Sequence, residues 1–248
     1  MSFRKSSNPA FSDGAFRTIV GSSSMGAMTA RGTYNRVGFL LALVMASAAF
    51  AWIFPYADVQ ALGGKVVIFL IAAFALALVT MFRKEWSPYT APAYAVAEGL
   101  ALGSVSRIFN LMYPGIVMQA VSLTFAVFLA MLCLYRFGII KMTDRLRVCI
   151  FAATAGVMAI YLISMLMHLF TGSGLSFITQ ATPLGIVFSL AVVAIATLSL
   201  VYDFDFIDQV SNQGAPKYME WYGAFALILT LVWLYVEILH LLSKLRRE

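Results

Sequence analysis

Leu227-Ile-Leu-Thr-Leu-Val-Trp-Leu-Tyr-Val-Glu-Ile-Leu-His-Leu-Leu242 is apolar almost throughout and carries one carboxylate, Glu237. With the residues before it, the run Trp221–Leu242 reaches the length of about 20 residues that a bilayer-spanning helix needs. An ionisable group in such a helix costs about 2.5–3.5 kcal/mol at the bilayer centre on insertion scales. Chains tolerate the cost where the group faces a partner or a water-filled cavity, so Glu237 is a candidate for handling a proton or a cation. Working back along the chain, six more runs of this kind appear: Val37–Phe54, Leu62–Phe82, Tyr89–Ser106, Pro114–Tyr135, Val148–Leu169 and Pro183–Tyr202. Only helices satisfy every backbone group within one such run, and a barrel would show short alternating segments instead. The fold class is therefore all-α and integral to the membrane, with seven transmembrane helices.

Composition agrees. The 248 residues are 62% hydrophobic and 11% charged, against about 25% charged in soluble domains. Residues 1–33 read as a polar, disordered cytoplasmic tail without a signal-peptide pattern, and 34–246 as one membrane domain. The net charge of +6 could suggest nucleic acid. Its placement argues for topology instead. With seven crossings, twelve Lys/Arg fall on the side of the N-terminus and five on the other, which puts the N-terminus in the cytoplasm. Lys244, Arg246 and Arg247 are the awkward residues, since six spans and a re-entrant segment would return them to the cytoplasm. Cys133 and Cys149 sit in no metal or redox spacing.

Small residues recur at helical spacing in three runs: Ala42, Ala46, Ala49; Ala95, Gly99, Gly103; and Ala152, Gly156, Ala159. Such stripes let helices approach closely in lipid. For Gly99 and Gly103 packing within the chain is favoured over a dimer face. Pro114, Pro183 and Pro216 stand where helices can begin.

The carboxylates are the candidates for chemistry. Thr230, Trp233, Glu237, His240 and Lys244 form one polar stripe at three- and four-residue steps. The stripe is either a cavity wall or a set of interfacial groups around a Glu237 that caps a neighbouring backbone. Asp203 ends the sixth apolar run. Asp205, Asp208 and Glu220 form a secondary acidic cluster around the following connection, and a solvated face is the competing explanation for Asp205 and Asp208. Glu98 precedes the glycine stripe and points inward, toward function or toward Arg83, Arg107 or a carbonyl. Burial disfavours the charged form of a carboxylate, and the same oxygens are hard ligands suited to Ca²⁺. A straight hairpin turning at Gly214–Ala215 would leave Asp203 and Glu237 about 17 Å apart in depth. Sharper activities find no support. The last span has no mid-membrane lysine for retinal, Thr171-Gly-Ser-Gly174 lies in a loop, His168 and His240 form no metal set, and no phosphate loop occurs. The reading is not an enzyme.

The C-terminal third resembles the Bax inhibitor-1 family, the transmembrane Bax inhibitor motif proteins. Val201-Tyr-Asp-Phe204 and Trp233-Leu-Tyr-Val-Glu-Ile-Leu239 are similar to its motifs in spans six and seven, and Glu98-Gly-Leu-Ala-Leu-Gly103 to its third span. Met28-Thr29 and Gly214-Ala-Pro-Lys-Tyr-Met-Glu-Trp-Tyr222 resemble a bacterial subgroup, which implies the plasma (inner) membrane. The resemblance implies a last helix surrounded by the other six. It also implies a pH-sensitive Ca²⁺ leak governed by Asp203 and Glu237, which would share the ion, with protons as regulator and Arg83 as a latch on Asp203. The lipid bilayer is then the one certain partner class, Ca²⁺ a permeant ion rather than a cofactor, and no nucleic acid is involved. The alternative is a non-conducting regulator of stress responses or proteolysis acting through partner proteins, with the basic 136–147 loop and the acidic 203–220 connection as docking surfaces.

Overall fold

The computed structural model describes residues 26–53, 59–172, 174–175, 178 and 180–247. Residues 1–25 of the expected tail, Phe54 and Ser173 lie outside them. Seven long helices follow one another: α1 Ala30–Ile53, α2 Val59–Phe82, α3 Ser87–Met112, α4 Ile116–Arg136, α5 Asp144–Thr171, α6 Pro183–Asn212 and α7 Met219–Leu245. A single 3-10 turn, Lys84–Trp86, joins α2 to α3. Among the described residues, six helices are long and apolar enough to cross a membrane. The seventh, α3, matches them in length but is rich in Ala, Gly and Ser.

The helices run up and down, so the start of α1 and the end of α7 lie at opposite ends of the bundle. The end that holds the start of α1, the α2–α3 and α4–α5 connections and the α6–α7 turn is called the first end below. α7 is the most enclosed element, with half of its spanning window buried against about a tenth for α5. It packs closely on α1, α3, α4 and α6, while α2 lies on α3 and α5 on α6. Buried Leu227, Ile228, Leu234, Ile238 and Leu239 of α7 meet Leu40, Val44, Tyr94, Ala120, Leu200 and Phe204 from the helices around it.

The third span's glycines explain its tight seating. A Cβ on Gly99 would strike Ser47 and the Val44 carbonyl, and one on Gly103 would strike the Ala48 backbone. The stripe therefore packs within the chain, against α1. The other two stripes do not pack. Ala42, Ala46, Ala49, Ala152, Gly156 and Ala159 are exposed, because α1 turns Val44, Ser47, Ala48 and Ala51 inward instead and α5 buries only Ile150 and Val157. Pro183 is a first-turn proline as expected. Pro114 and Pro216 belong to the turns before α4 and α7, which begin at Ile116 and Met219.

The segment before α1 docks rather than trails away. Met28 is buried and its N–H donates to the Ala215 carbonyl at 2.7 Å. Ala27 forms an isolated antiparallel bridge with Pro216. The first helix starts at Ala30, four residues ahead of the expected domain boundary.

Candidate functional site

Asp203 lies on α6, nine residues inside its end at the first end of the bundle, among Leu200, Val201, Phe204 and Ile207, which are fully enclosed. It is 7% exposed. Its Oδ2 has no hydrogen-bond partner among the described residues, and Thr230 of α7 is the polar side chain facing it. The Thr230 hydroxyl itself donates to the Ala226 carbonyl of its own helix. A buried acceptor without a donor costs about 1–3 kcal/mol, more when charged. Asp203 Oδ2 is thus an unsatisfied acceptor in a packed helix interface.

Glu237 is 3% exposed but well supplied. Its Oε1 accepts from the Tyr161 hydroxyl of α5 at 2.8 Å and from the Trp233 indole N–H at 3.1 Å. It stands seven residues beyond Thr230 along α7, about 10 Å. The structure therefore sets Asp203 and Glu237 at different depths of the bundle, opposite different neighbours of α7. Both helices are continuous, and the offset is smaller than a straight hairpin turning at Gly214–Ala215 requires. The Gln213–Tyr218 turn takes up chain without adding rise, so Asp203 falls opposite Thr230. No group of three or more His, Cys, Asp or Glu that could hold a metal ion occurs among the described residues.

The polar stripe of the last helix divides among its neighbours. Thr230 faces α6 and Glu237 faces α5. His240 is exposed, with its ring 5.7 Å from that of Phe109 on α3. Lys244 is buried and donates to the Gly185 carbonyl at 3.0 Å and to Ser189 Oγ at 2.7 Å, pinning the end of α7 to the start of α6. It is not an interfacial group reaching for water.

Glu98 is buried on α3 beside Tyr94. α3 and α7 run parallel, tied by Ser87 Oγ to the Tyr218 carbonyl, by an edge-to-face Tyr94–Phe225 pair and by a 2.6 Å Ser106–Tyr235 hydroxyl pair. This register places Glu98 near the level of Thr230. Glu98 and Asp203 thus share a depth on α3 and α6, two helices that do not pack closely on each other among the described residues.

The secondary acidic residues have distinct roles. Glu220 is 1% exposed and accepts from the Thr29 N–H and hydroxyl, from Arg36 Nε at 3.1 Å and from Lys217 Nζ at 2.7 Å. Gly32 makes room for it, since a Cβ there would overlap the carboxylate. This is a structural clasp between the start of the chain's first helix and the start of its last. Asp205 is held by Arg147 at 2.9 Å and by Gln209 at 2.6 Å, and Asp208 accepts from the Tyr135 hydroxyl at 2.9 Å. Together with Arg136 and Lys141 they line an open cavity of about 270 Å³ at the first end of the bundle. Asp203 lies five residues, about 7 Å, inward from Asp208 along α6.

Arg83 does not reach Asp203. It is exposed at the junction of α2 with the 3-10 turn and makes no ion pair among the described residues. The basic residue that does engage the acidic end of α6 is Arg147. The 136–147 loop announces its charge in the sequence, but nothing there says that its last arginine, the first-turn residue of a helix on the far side of α6, turns back onto Asp205. Tyr161 escaped notice for the same reason, because a tyrosine in an apolar run reads as an ordinary membrane residue.

No curated protein matches the chain. The family model described as Bax inhibitor 1 like does match it, over residues 8–247. That span covers all seven helices together with the Asp203 and Glu237 motifs, and the chain belongs to the Bax inhibitor 1 like family.

Proposed function

We propose that this multi-pass membrane protein is a pH-sensitive cation leak, with Ca²⁺ as its main permeant ion and Asp203 as the group whose protonation sets the open fraction. The observation that carries the reading is the buried, unpartnered Asp203 oxygen, a costly arrangement that packing does not require. The cavity holding Asp205 and Asp208 would collect cations at one end. Asp203 would be the next oxygen inward, and Glu98, at the same depth, a second proton-sensitive carboxylate. Glu237 would act separately, deeper in the bundle, on the α5 side. The twelve-to-five distribution of Lys/Arg supports an orientation with the cavity of Asp205 and Asp208 facing the cytoplasm.

Purified protein in liposomes loaded with a Ca²⁺ indicator tests this from acidic through mildly alkaline pH. Protein-dependent flux should vary with pH, Asp203→Asn should abolish that variation, and Glu237→Gln should alter its amplitude. Flux that neither substitution changes would remove both residues from the path. No flux above empty liposomes at any pH would favour the non-conducting regulator, acting through partners at the 136–147 and 203–220 surfaces.

A further inference from the structure

α1 and α7 run parallel from the first end of the bundle, and Glu220 locks their starts together. Beside that clasp an open cavity of about 420 Å³ lies between the two helices, its lining including Asn35, Arg36, Phe39, Lys217, Glu220 and Trp221. It shares no residue with the cavity of Asp205 and Asp208. The Glu220 carboxylate is enclosed behind its cations, whereas the Arg36 and Lys217 side chains are 29% and 39% exposed. Each cation holds a different oxygen of that one carboxylate, Arg36 through Nε at 3.1 Å and Lys217 through Nζ at 2.7 Å. Two positive charges are thus fixed close together against one negative charge, and one positive charge is left over. Arg36 spends only Nε on Glu220, and Lys217 one of its three ammonium protons. The terminal amino groups of the guanidinium and the other ammonium protons can serve a further acceptor.

One turn deeper along α1, the exposed ring of Phe39 meets Trp221 edge to face at 5.9 Å. The cavity is therefore charged toward the end of the bundle and aromatic toward the bilayer interior. That order matches a phosphate ester whose glycerol and acyl chains continue into lipid. A cationic headgroup fits poorly. The surplus charge would repel a choline, and the Trp221 ring already lies 4.3 Å from the Arg36 guanidinium carbon. We propose that this cavity binds the phosphodiester of an anionic phospholipid between Arg36 and Lys217, with the Asn35 amide as a further donor and the glycerol end of the chains against Phe39.

The test is native mass spectrometry of the full chain released from nanodiscs of phosphatidylcholine containing a minor share of phosphatidylglycerol. The unmodified protein should retain one phosphatidylglycerol in preference to phosphatidylcholine. Asn35→Asp puts a carboxylate at the cavity without removing any bond of the clasp. Lys217→Gln removes one cation while Arg36 and Thr29 still hold Glu220. Each should lower the preference about tenfold, the scale of one charge-assisted hydrogen bond. No preference in the unmodified protein, or a preference that either variant leaves unchanged, would overturn the site and leave ordinary annular lipid. Should Lys217→Gln fail to fold, Asn35→Asp decides alone, since Asn35 is exposed on α1. Displacement of the lipid by an equal concentration of glycerol phosphate would assign the cavity to a soluble phosphate ester and overturn the lipid.

Discussion

Asp203 and Glu237 are alike in burial and opposite in satisfaction, and their substitutions should separate accordingly. Replacing a buried carboxylate whose Oδ2 lacks a donor with an apolar residue of similar size removes an unsatisfied acceptor. It strands little in exchange, because the facing Thr230 hydroxyl retains the Ala226 carbonyl. Asp203→Leu should therefore melt at the same temperature as the unmodified protein or higher in detergent, while losing any flux. Glu237→Leu strands the Tyr161 hydroxyl and the Trp233 N–H, and should cost about 1–3 kcal/mol. A lower melting temperature for Asp203→Leu than for Glu237→Leu would contradict the assignment of Asp203 as the unsatisfied group. Gly32 offers a second check. Because its missing Cβ is what lets Glu220 sit against α1, Gly32→Ala should destabilise by about 1–3 kcal/mol, the range for forcing extra atoms into a packed site. Gly38, with open space around it, should tolerate the same change, and equal effects at the two positions would remove the clasp from the account. The sequence placed Glu237 and Asp203 correctly as buried carboxylates, because an acid inside an apolar run has few alternatives. It could not place Glu220, whose burial depends on Thr29, Arg36 and Gly32 at the other end of the chain.

Among the elements, α5 is the one held by polar links as much as by packing. Arg147 and Tyr161 reach from it to Asp205 and Glu237, and only two of its side chains are buried. With Arg147 engaged on Asp205, Asp208 is the cavity's remaining acid, beside the basic Arg136 and Lys141. Arg147→Gln should free Asp205, raising Ca²⁺ flux several-fold in the liposome assay and making it more sensitive to salt. Flux equal to that of the unmodified protein would exclude this ion pair as a brake. The same helix shows why small-residue stripes mislead. Ala152, Gly156 and Ala159 have the spacing of a packing face, as Gly99 and Gly103 do. Yet a Cβ at Gly156 meets nothing, while one at Gly103 meets backbone. Spacing says that an approach is sterically open, and only the position of the partner helix says whether it is used. The seven helices themselves were legible because burial in lipid demands long apolar runs whatever the tertiary packing. Their ends were less so, since α6 continues past its apolar stretch through Asp203, Asp205 and Asp208 to Asn212.

For the molecule as a whole, seven helices place the start of α1 and the end of α7 at opposite ends of the bundle, and the basic residues at and just after the end of α7 have partners there. Lys244 is buried against α6, Arg246 is fixed on Pro114 and Gln119, and Arg247 donates to the Tyr113 hydroxyl at 2.6 Å. The three basic residues at that end thus have acceptors within the bundle itself. A cysteine appended after Glu248, in a chain with Cys133 and Cys149 replaced, should react with a membrane-impermeant thiol reagent from the periplasmic side of intact cells. Labelling only after lysis would place the C-terminus inside and remove a crossing. The position of α7 has one more consequence. The element at the axis of the bundle is the last of the seven helices in chain order, and its start is fastened to Thr29 and Arg36, near the beginning of the described residues. The six helices made before it have no central element to pack on until it arrives, so neither the Asp203 interface nor the Glu220 clasp can form ahead of it.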